Sequence, residues 1–352
     1  MEKNYINIIR ENPYSLDKNE KNIFFQKKMN DLTKYHYSKS NIYKQILNGL
    51  NYKEKNFNLE QLPFITTNLF KELDLLSIES KKIFKILFSS GTSGSKTSKI
   101  YLDKENSIVQ RNVLNRIFEY NFGNKRMPML IVSSNPNINR NSFDAKTAAI
   151  LGFSMFGTNH TYIINNKGEI DLNEFERFME KYFENDFLIF GFTHEVFQTF
   201  FDKIKKNNKY DLRNGILIHG GGWKKLKNKK ISNEKFKKNF LKEFNLNKVF
   251  NYYGLIEQIG SIFFECPVCS LFVCSNFSEI FIRDKNLNII KNGKGFVQLL
   301  SLLPKSYPGH NILTEDIGEI IQNPNCKFDH KGKCFKIHGR VENSVIRGCS
   351  DV

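Results

Sequence analysis

A run of glycine and hydroxyl residues carries the strongest chemical signal in the sequence: Phe88–Lys96 reads FSSGTSGSK. Glycine lets backbone N–H groups approach a phosphate closely, and the hydroxyl groups and Lys96 add hydrogen-bond donors and positive charge. A Walker A loop is excluded because only Thr92 and Ser93 separate the two glycines and Ser95 precedes the lysine. A Ser/Gly-rich surface turn is the alternative. We expect Lys96 to act on a phosphate group that is bound by Ser89, Ser90, Gly91, Thr92, Ser93 and Gly94.

The residues on both sides of this loop predict two strands. Ile83–Phe88 leads into the loop and Lys99–Leu102 leads out of it. Asp103 then has the position of an N-cap for a helix that extends to about Tyr120. A P-loop ATPase runs from a strand into a helix, whereas a strand–loop–strand order is typical of enzymes that form acyl-adenylates.

Three consecutive glycines follow another predicted strand, Gly215–Ile218, and they are Gly220, Gly221 and Gly222. Glycines at the carboxyl end of a strand permit a ligand to lie against the backbone. A tight turn would use the same residues, so this segment alone does not decide between the two.

The segment Asn251–Gln258, NYYGLIEQ, follows a further predicted strand. It offers an aromatic face for a base and, in Glu257, a carboxylate for Mg²⁺. A charge at a helix N-terminus is the alternative interpretation of Glu257. The candidate nucleotide contacts in this segment are Tyr253, Gly254, Glu257 and Gln258.

Two polar segments lie further along the chain. Asp316, in TEDIGE, is expected in a turn before a strand, where a carboxylate can accept hydrogen bonds from both ribose hydroxyls. A second segment is expected to end a strand with Gly339 and Arg340, and the guanidinium suits a phosphate or a ribose edge. An ordinary Asp–Gly turn and a surface turn with a solvated arginine are the alternatives.

The cysteines form a pattern that suits structural zinc, because Cys266 and Cys269 make a C-x-x-C pair that distant Cys and His residues follow. Scattered reduced thiols are the alternative. The spacing leaves the set of four ligands open among Cys266, Cys269, Cys274, Cys326 and His330.

The composition bounds the remaining properties of the molecule. With 352 residues, of which 40% are hydrophobic, the chain can bury a large core. Its formal net charge of +17 favours anionic partners such as nucleotides and acidic carrier proteins. No nucleic-acid motif accompanies the lysine-rich stretches. Because Met1–Glu20 lacks the apolar core of a signal peptide and the apolar runs are strand-sized, we expect a cytoplasmic protein without a membrane span.

Short apolar runs alternate with helical periodicity along the chain. Phe236, Phe240 and Phe244, for example, recur at every fourth residue behind a predicted N-cap at Ser232. Strands and helices that alternate in this way predict an α/β fold with mixed or parallel sheets. The other predicted strands are Met129–Ser133, Phe187–Phe192, Lys248–Tyr252, Ser261–Glu265, Glu279–Arg283 and Phe296–Leu303.

In this order the segments resemble the adenylate-forming enzyme superfamily. More narrowly, the chain resembles the acyl-protein synthetase (LuxE-type) family over about residues 60–352. The residues that carry the narrower resemblance are Leu69-Phe70-Lys71, Ser89-Ser90-Gly91-Thr92, His219-Gly220-Gly221-Gly222-Trp223-Lys224, Glu257-Gln258, Phe264-Glu265-Cys266, Tyr307-Pro308-Gly309-His310, Thr314-Glu315-Asp316 and Arg347-Gly348-Cys349-Ser350-Asp351.

The resemblance implies ATP- and Mg²⁺-dependent activation of a fatty or other carboxylic acid as acyl-AMP. It also implies transfer of the acyl group to a cysteine and delivery to an acyl reductase partner. The implied fold is the large α/β domain of adenylate-forming enzymes, with mixed sheets flanked by helices. The implied catalytic residues are Lys96, Glu257 and Arg340, and the three glycines correspond to the adenine loop. Some relatives that ligate aryl acids carry a similar zinc site, which supports the zinc interpretation.

Two departures from the superfamily pattern stand out. Ile256 occupies a position where threonine is usual. Most superfamily members also continue beyond the Gly-Arg segment into a mobile second domain that bears a catalytic lysine, and we expect that domain to be absent here. The expected organisation is a helical N-terminal segment (1–80), an α/β adenylate-forming core (81–338) and a C-terminal tail (339–352).

Cys349 in the tail is the expected acyl acceptor. Gly348 gives the tail a flexible joint. The positive charge of Arg347 can stabilise the Cys349 thiolate, whereas the negative charge of Asp351 disfavours it. Attack of that thiolate on the mixed anhydride of an acyl-adenylate would store the acyl group as a thioester. A free thiol on a disordered tail is the alternative.

Two other functions remain open from the sequence: an acid–CoA ligase for a small or aromatic acid, and a non-catalytic nucleotide-binding scaffold. Radiolabelled acid would become bound to CoA in the first case, and no pyrophosphate would be released in the second. A serine hydrolase is excluded because no G-x-S-x-G elbow is present.

Overall fold

The structure, a computed structural model, describes residues 11–89, 96–136, 142–206, 210–222, 231–322, 326–327 and 330–341. The chain forms two compact units. Residues 1–120, 140–145 and 254–352 belong to the first unit, and residues 121–139 and 146–253 belong to the second. The part boundaries expected at residues 80 and 338 stay predictions.

The described α-helices, in chain order, are α1 (Lys18–Lys39), α2 (Asn41–Gly49), α3 (Leu69–Glu72), α4 (Lys104–Phe122), α5 (Ala145–Ser154), α6 (Leu172–Tyr182), α7 (Thr193–Glu195), α8 (Asp202–Lys205) and α9 (Asn233–Phe244). A π-helical turn, Val196–Phe201, joins α7 to α8, and 3₁₀ turns occur at Leu59–Gln61, Ser80–Lys82 and Ile256–Gln258. Among the described residues, no helix has the length and apolar character that a membrane span requires.

The described strands are β1 (Ile65–Thr66), β2 (Lys85–Phe88), β3 (Lys99–Leu102), β4 (Met127–Val132), β5 (Ser142–Asp144), β6 (Gly157–Tyr162), β7 (Phe187–Phe192), β8 (Gly215–Gly220), β9 (Lys248–Gly254), β10 (Ile262–Phe264), β11 (Phe272–Val273), β12 (Ser278–Arg283), β13 (Ile289–Ile290), β14 (Gly295–Ser301), β15 (Asn311–Ile321) and β16 (Cys334–Arg340). Each strand predicted from the apolar runs is confirmed, with ends that shift by one or two residues.

The main sheet of the first unit has the strand order β11-β16-β15-β14-β12-β13, and all of these neighbours are antiparallel. Strand β1 adds to β15 in parallel. A small sheet of the same unit has the order β3-β2-β5. Its β2–β3 hairpin pairs Phe88 with Lys99, so the predicted strand–loop–strand arrangement is confirmed.

Helix α1 packs on the main sheet of the first unit. It begins with a capping box in which Asp17 accepts hydrogen bonds from the first turn and Glu20 bonds back to the backbone of Asp17. Phe25 and Met29 on its inner face join a buried cluster with Phe281 and other sheet residues. Burial of the apolar face of α1 fastens this helix to the sheet, and the extent of the helical N-terminal segment stays a prediction.

An ion triad also links α1 to this sheet. Lys21 on α1 and Lys333 lie 3.2 Å and 3.1 Å from opposite oxygens of Glu279, which is 3% exposed. Burial alone would raise the pKa of Glu279, but the two lysines hold it below its usual value. Removing either lysine would therefore leave a buried charge poorly compensated.

The second unit is built on a parallel sheet in which β9, β8, β7, β4 and β6 lie side by side. All six residues of β7 and of β8 are buried, as expected for parallel strands covered on both faces. The phenylalanines at every fourth residue of α9 lie in the core as predicted, and Ser232 caps that helix by accepting a hydrogen bond from Lys235 N–H.

One expectation is wrong. Asp316 was expected in a turn before a strand, but it lies inside the eleven-residue strand β15. The Gly318 that suggested a turn instead lies beside a register shift between β15 and β16. Glycine within a strand is compatible with such an irregularity, so strand β15 continues through a segment that reads as a turn in the sequence.

Candidate active site

Glu257 is the central acid of the first unit. The 3₁₀ turn Ile256–Gln258 carries it into the interior, where it is 6% exposed. The hydroxyl of Ser98 donates to its Oε1 atom across 2.7 Å. Burial raises the pKa of Glu257, while the Ser98 hydrogen bond and the charges of Arg340 and Lys71 oppose that rise. A desolvated carboxylate of this kind is stabilised by a bound cation, and carboxylate oxygen suits Mg²⁺.

Asp316 and Arg340 are directly opposite each other on β15 and β16. Arg340 Nε lies 3.5 Å from Asp316 Oδ1. The Asp316 side chain is 10% exposed and the Arg340 side chain is 69% exposed, so the guanidinium extends toward solvent from a fixed carboxylate. The strand pairing thus brings together two candidate residues from separate motifs: Asp316, predicted to bind the ribose, and Arg340, predicted to bind a phosphate or a ribose edge.

The stems of the glycine-rich loop are fastened to each other. The backbone N–H of Ser89 donates to Ser98 O at 3.0 Å, and the backbone N–H of Ser98 donates to Ser89 Oγ at 2.8 Å. Lys96 pairs with the carboxylate of Glu72, and both side chains are more than half exposed. The other predicted loop residues, Ser90, Gly91, Thr92, Ser93 and Gly94, lie outside the described residues.

Lys71 is a cation that sequence reasoning did not assign to the site. It lies on α3 and donates to Asn68 Oδ1 at 3.0 Å, and Asn68 Nδ2 donates to Glu315 Oε1 at 3.0 Å. Its charge helps to keep the pKa of Glu257 down. The sequence contained a hint of this role in the Leu69-Phe70-Lys71 motif. However, only the pairing of β1 with β15 shows that this motif lies beside the strand that carries Glu315 and Asp316.

Gln258 has the NH2 group of its side-chain amide committed to the protein. It is 1% exposed, and its Nε2 donates to Leu299 O at 3.1 Å and to Gly309 O at 2.9 Å. The neighbouring Gly254 is exposed at the end of β9. Direct nucleotide contact by either residue stays a prediction.

In the second unit, the three glycines end β8 and continue beyond it. A Cβ atom on Gly220 would lie 2.5 Å from the Tyr252 ring, and one on Gly221, at φ +77°, would lie 2.9 Å from the Phe192 ring. Gly222 has φ +67° and open space around its Cα. Glycine is thus required by both space and backbone conformation. Adenine binding by these glycines and by Tyr253, a half-buried residue of β9, stays a prediction.

His219, just before the glycines, is a core residue. The Thr193 hydroxyl donates to Gly220 O at 3.1 Å, and its oxygen accepts from His219 Nδ1 at 3.0 Å. The imidazole stacks on Phe236 with centroids 4.4 Å apart, and burial lowers its pKa to about 3. The ring is therefore neutral at physiological pH and fixes the end of β8.

A cysteine–histidine cluster lies elsewhere in the first unit. The side-chain ligand atoms of Cys266, Cys269, Cys326 and His330 all lie within 4.8 Å of one another. Sulfur atoms around a tetrahedral zinc ion lie about 3.8 Å apart, because each Zn–S bond is about 2.3 Å. Three cysteines and one histidine also form a known zinc donor set. The residues therefore fit the metal in number, chemistry and spacing.

Two further cysteines of this unit, Cys274 and Cys334, are not members of the cluster. Cys274 is fully buried and is not a member of the group that the structure brings together. Cys334 Sγ lies 3.9 Å from His330 Nε2; the sequence places Cys334 in the cysteine–histidine clusters but not among the likeliest ligands. Without a metal, burial raises the pKa of Cys269 to about 12. The structure thus selects four of the five residues that the spacing left open. Cys349 lies outside the described residues.

The fold of this chain is that of adenylate-forming enzymes. 2-Hydroxyisobutyryl-CoA ligase, solved with 2-HIB-AMP and CoA, superimposes with a TM-score of 0.69 at 12% identity, covering 94% of this chain and 77% of that chain. The predicted α/β fold of the large adenylate-forming domain is therefore confirmed.

The chain belongs to the acyl-protein synthetase family, LuxE, whose sequence profile matches residues 3–352. It is similar to the long-chain-fatty-acid–luciferin-component ligase of Vibrio harveyi, at 25% identity over 345 residues that cover 90% of this chain and 83% of that protein. The ligase of the same name from Aliivibrio fischeri is 22% identical over 331 residues, with 90% and 84% covered. The chain is therefore an ATP-dependent acid–thiol ligase that forms an acyl-adenylate and passes the acyl group to a thiol.

Proposed function

We propose that this acyl-protein synthetase activates a long-chain fatty acid and holds it as a thioester on Cys349 for an acyl reductase partner. The names of the two curated relatives support the acid class. The observation that carries the activation step is the buried Glu257 carboxylate, hydrogen-bonded by Ser98 and influenced by the cations Arg340 and Lys71.

In the first half-reaction, a carboxylate oxygen of the acid attacks the α-phosphorus of ATP and pyrophosphate leaves. Glu257 would hold the Mg²⁺ ion, which neutralises phosphate charge when bound. Asp316 accepts hydrogen bonds from the ribose hydroxyls, and Arg340 and Lys96 stabilise the negative charge that develops on the phosphates. Each of these side chains has charge of the sign that its role requires.

In the second half-reaction, the Cys349 thiolate attacks the acyl carbonyl carbon of the acyl-adenylate. The C–S bond forms, the bond from the acyl carbon to the phosphate oxygen breaks, and AMP leaves with the electron pair. The reductase partner would then accept the acyl group. The net charge of +17 supports docking of an acidic protein surface, either that reductase or an acidic carrier, in the cytoplasm.

The cysteine–histidine cluster would hold a structural zinc ion. Cys266, Cys269, Cys326 and His330 are the ligands that the geometry favours, with the thiols bound as thiolates. Tyr14 from the N-terminal segment packs in the same buried cluster as Cys266. The ion would thus tie the segment between β10 and β11 to the connection between β15 and β16, and it would contribute to folding stability rather than to chemistry.

The proposal is tested with a panel of radiolabelled acids of increasing chain length. Pyrophosphate exchange reports the first half-reaction, and hydroxylamine-sensitive label on the protein reports the second. We expect both signals to be strongest with long-chain acids and to appear without CoA. Label on CoA alone would establish the acid–CoA ligase, and ATP binding without pyrophosphate exchange would establish the non-catalytic scaffold.

A further inference from the structure

The turn that carries Glu257 rests on a buried loop of the same unit, residues 303–310. Its residue Gly309 lies against the backbone of Glu257, and a Cβ atom at this position would be 2.5 Å from Glu257 O. Glycine is therefore needed for close approach of two backbone segments. Gln258, the next residue of the turn, also bonds to this loop: it donates one amide hydrogen to Gly309 O and the other to Leu299 O.

The loop is itself held by side chains from several elements. Asn106 on α4 accepts from the N–H groups of Lys305 and Ser306 at 3.0 Å and 3.1 Å and donates to Leu303 O. These contacts satisfy three buried backbone groups of one loop with a single amide side chain. The loop is thus a fixed support rather than a segment that moves with its ligand.

Two buried histidines join the loop to α1: His36 on the helix and His310 in the loop. His36 Nε2 donates to Pro304 O at 3.2 Å, and its Nδ1 accepts from Ser77 Oγ at 2.7 Å. His310 donates to Thr33 Oγ1 at 3.0 Å and stacks on His36 with ring centroids 4.8 Å apart. Hydrogen bonds to α1 therefore hold the loop at Pro304 and at His310, and they restrict the position of Gly309 between these two residues.

We propose that Gln258 is a positioning residue for Glu257: by clamping Leu299 O and Gly309 O, it fixes the turn whose carboxylate binds the metal ion of the nucleotide. This inference rests on the proposed metal role of Glu257. In this proposal Gln258 acts on the nucleotide site through Glu257 and not by contacting the nucleotide, because both of its amide hydrogens are used within the protein. Supporting residues of this kind typically change metal affinity or activity by about 10- to 100-fold.

The decisive variant is Gln258→Met, which keeps the length of the side chain and removes both hydrogen bonds. Gln298→Met is the matched control, because Gln298 is an equally buried glutamine of the same unit that bonds to Arg283 and Asn311 instead. Mn²⁺ binding in the presence of a non-reactive ATP analogue, followed by the electron paramagnetic resonance signal of free Mn²⁺, is the first readout. The Mg²⁺ dependence of pyrophosphate exchange is the second.

We expect Gln258→Met to weaken Mn²⁺ binding about tenfold and to shift the half-saturating Mg²⁺ concentration in the same direction. Gln298→Met should lower thermal stability to a similar extent and leave both metal readouts unchanged. Equal metal readouts in the two variants would overturn the positioning role. Glu257→Gln is measured in parallel, and wild-type metal binding in that variant would overturn the metal role of Glu257 itself, and this inference with it.

If Gln258→Met does not fold, Gly309→Ala replaces it, because the added Cβ displaces Glu257 and leaves the Gln258 amide intact. Gly295→Ala is its control, since a Cβ there meets Arg283 O in the same sheet away from Glu257. Weaker Mn²⁺ binding only in Gly309→Ala supports the proposal. Identical binding in both alanine variants refutes it.

Discussion

Ser98 donates its hydroxyl hydrogen to Glu257 across 2.7 Å, although 159 positions separate the two residues in the chain. Ser98 is also the residue that closes the stem of the glycine-rich loop against Ser89. A single serine therefore joins the base of the proposed phosphate loop to the proposed metal-binding acid.

Ser98→Ala should shift the pH dependence of adenylation. The lost hydrogen bond favours the charged carboxylate, so its removal raises the pKa of Glu257 further. The acid limb of the pyrophosphate-exchange profile should move to higher pH, with a larger loss of rate at low pH than at high pH. Ser261→Ala removes another buried serine hydroxyl of the same unit, bonded to Ser301, and should leave the limb in place. An unmoved limb in Ser98→Ala would show that Glu257 does not titrate in this step.

Asp316→Ala should raise the apparent KM for ATP by at least about tenfold, since even one charge-assisted hydrogen bond to the ribose is worth about 1.5–3 kcal/mol. Glu319→Ala is the matched control, because Glu319 pairs with His338 between the same two strands at 3.1 Å. Steady-state kinetics with ATP varied would decide. A similar KM in both variants would remove Asp316 from the nucleotide site.

Lys96→Ala should reduce pyrophosphate exchange about 100-fold, as expected for a donor that acts on developing charge. The control is Lys99→Ala, whose lysine forms a comparable exposed pair with Asp74 at 3.1 Å. Exposed ion pairs contribute only about 0–1 kcal/mol to stability, so neither variant should unfold. Glu72→Gln releases Lys96 from its partner and should keep the wild-type rate. Equal rates in the two alanine variants would show that Lys96 is a surface lysine that does not act in adenylation.

Freshly purified protein should contain one zinc ion per chain, and Cys266→Ser should lose it. The midpoint of thermal unfolding should fall by about 5 °C or more, since about 2 kcal/mol shifts the midpoint by that amount in domains of comparable size. Cys274→Ser, at a thiol outside the cluster, should retain the metal. Elemental analysis gives the answer directly, and its failure to find zinc in the wild-type protein would end the idea.

Cys349→Ser should separate the two half-reactions. Pyrophosphate release with labelled acid and ATP should persist, because adenylation does not require the thiol, while hydroxylamine-sensitive label on the protein should disappear. Cys334→Ser, at a buried thiol, is the control that should keep the label. Persistent label in Cys349→Ser would identify another cysteine as the acceptor.

The sequence predicted the elements well because their apolar runs are long and regular. The buried strands β7 and β8 and the phenylalanine stripe of α9 are of this kind. The order of the motifs and the chemistry of their residues were also sufficient to predict the family and the β2–loop–β3 arrangement. These features depend on local patterning, which a single chain displays directly.

Long-range pairing could not be predicted in the same way. Asp316 reads as a turn residue, and only the ladder with β16 shows it opposite Arg340. The charge of Lys71 reaches Glu257 in a fold where β1 pairs with β15, and the amide of Gln258 bonds to Leu299 and Gly309, which are distant in the sequence. The choice of Cys326 and His330 over Cys274 likewise depends on distances in space.

The ladder between β15 and β16 carries unlike chemistry at its two ends. Asp316 faces Arg340 at one end, and Ile321 faces Cys334 beside the cysteine cluster at the other, with a register shift after Ile317. An irregularity of this kind interrupts the hydrogen bonding between two stretches of strand. Hydrogen bonds at the cysteine end can therefore open, or residues there can be substituted, and the resulting structural change stops at the irregularity. Substitutions at the cysteine end can thus change the stability of the protein separately from the proposed nucleotide contacts of Asp316 and Arg340, although one pair of strands carries both.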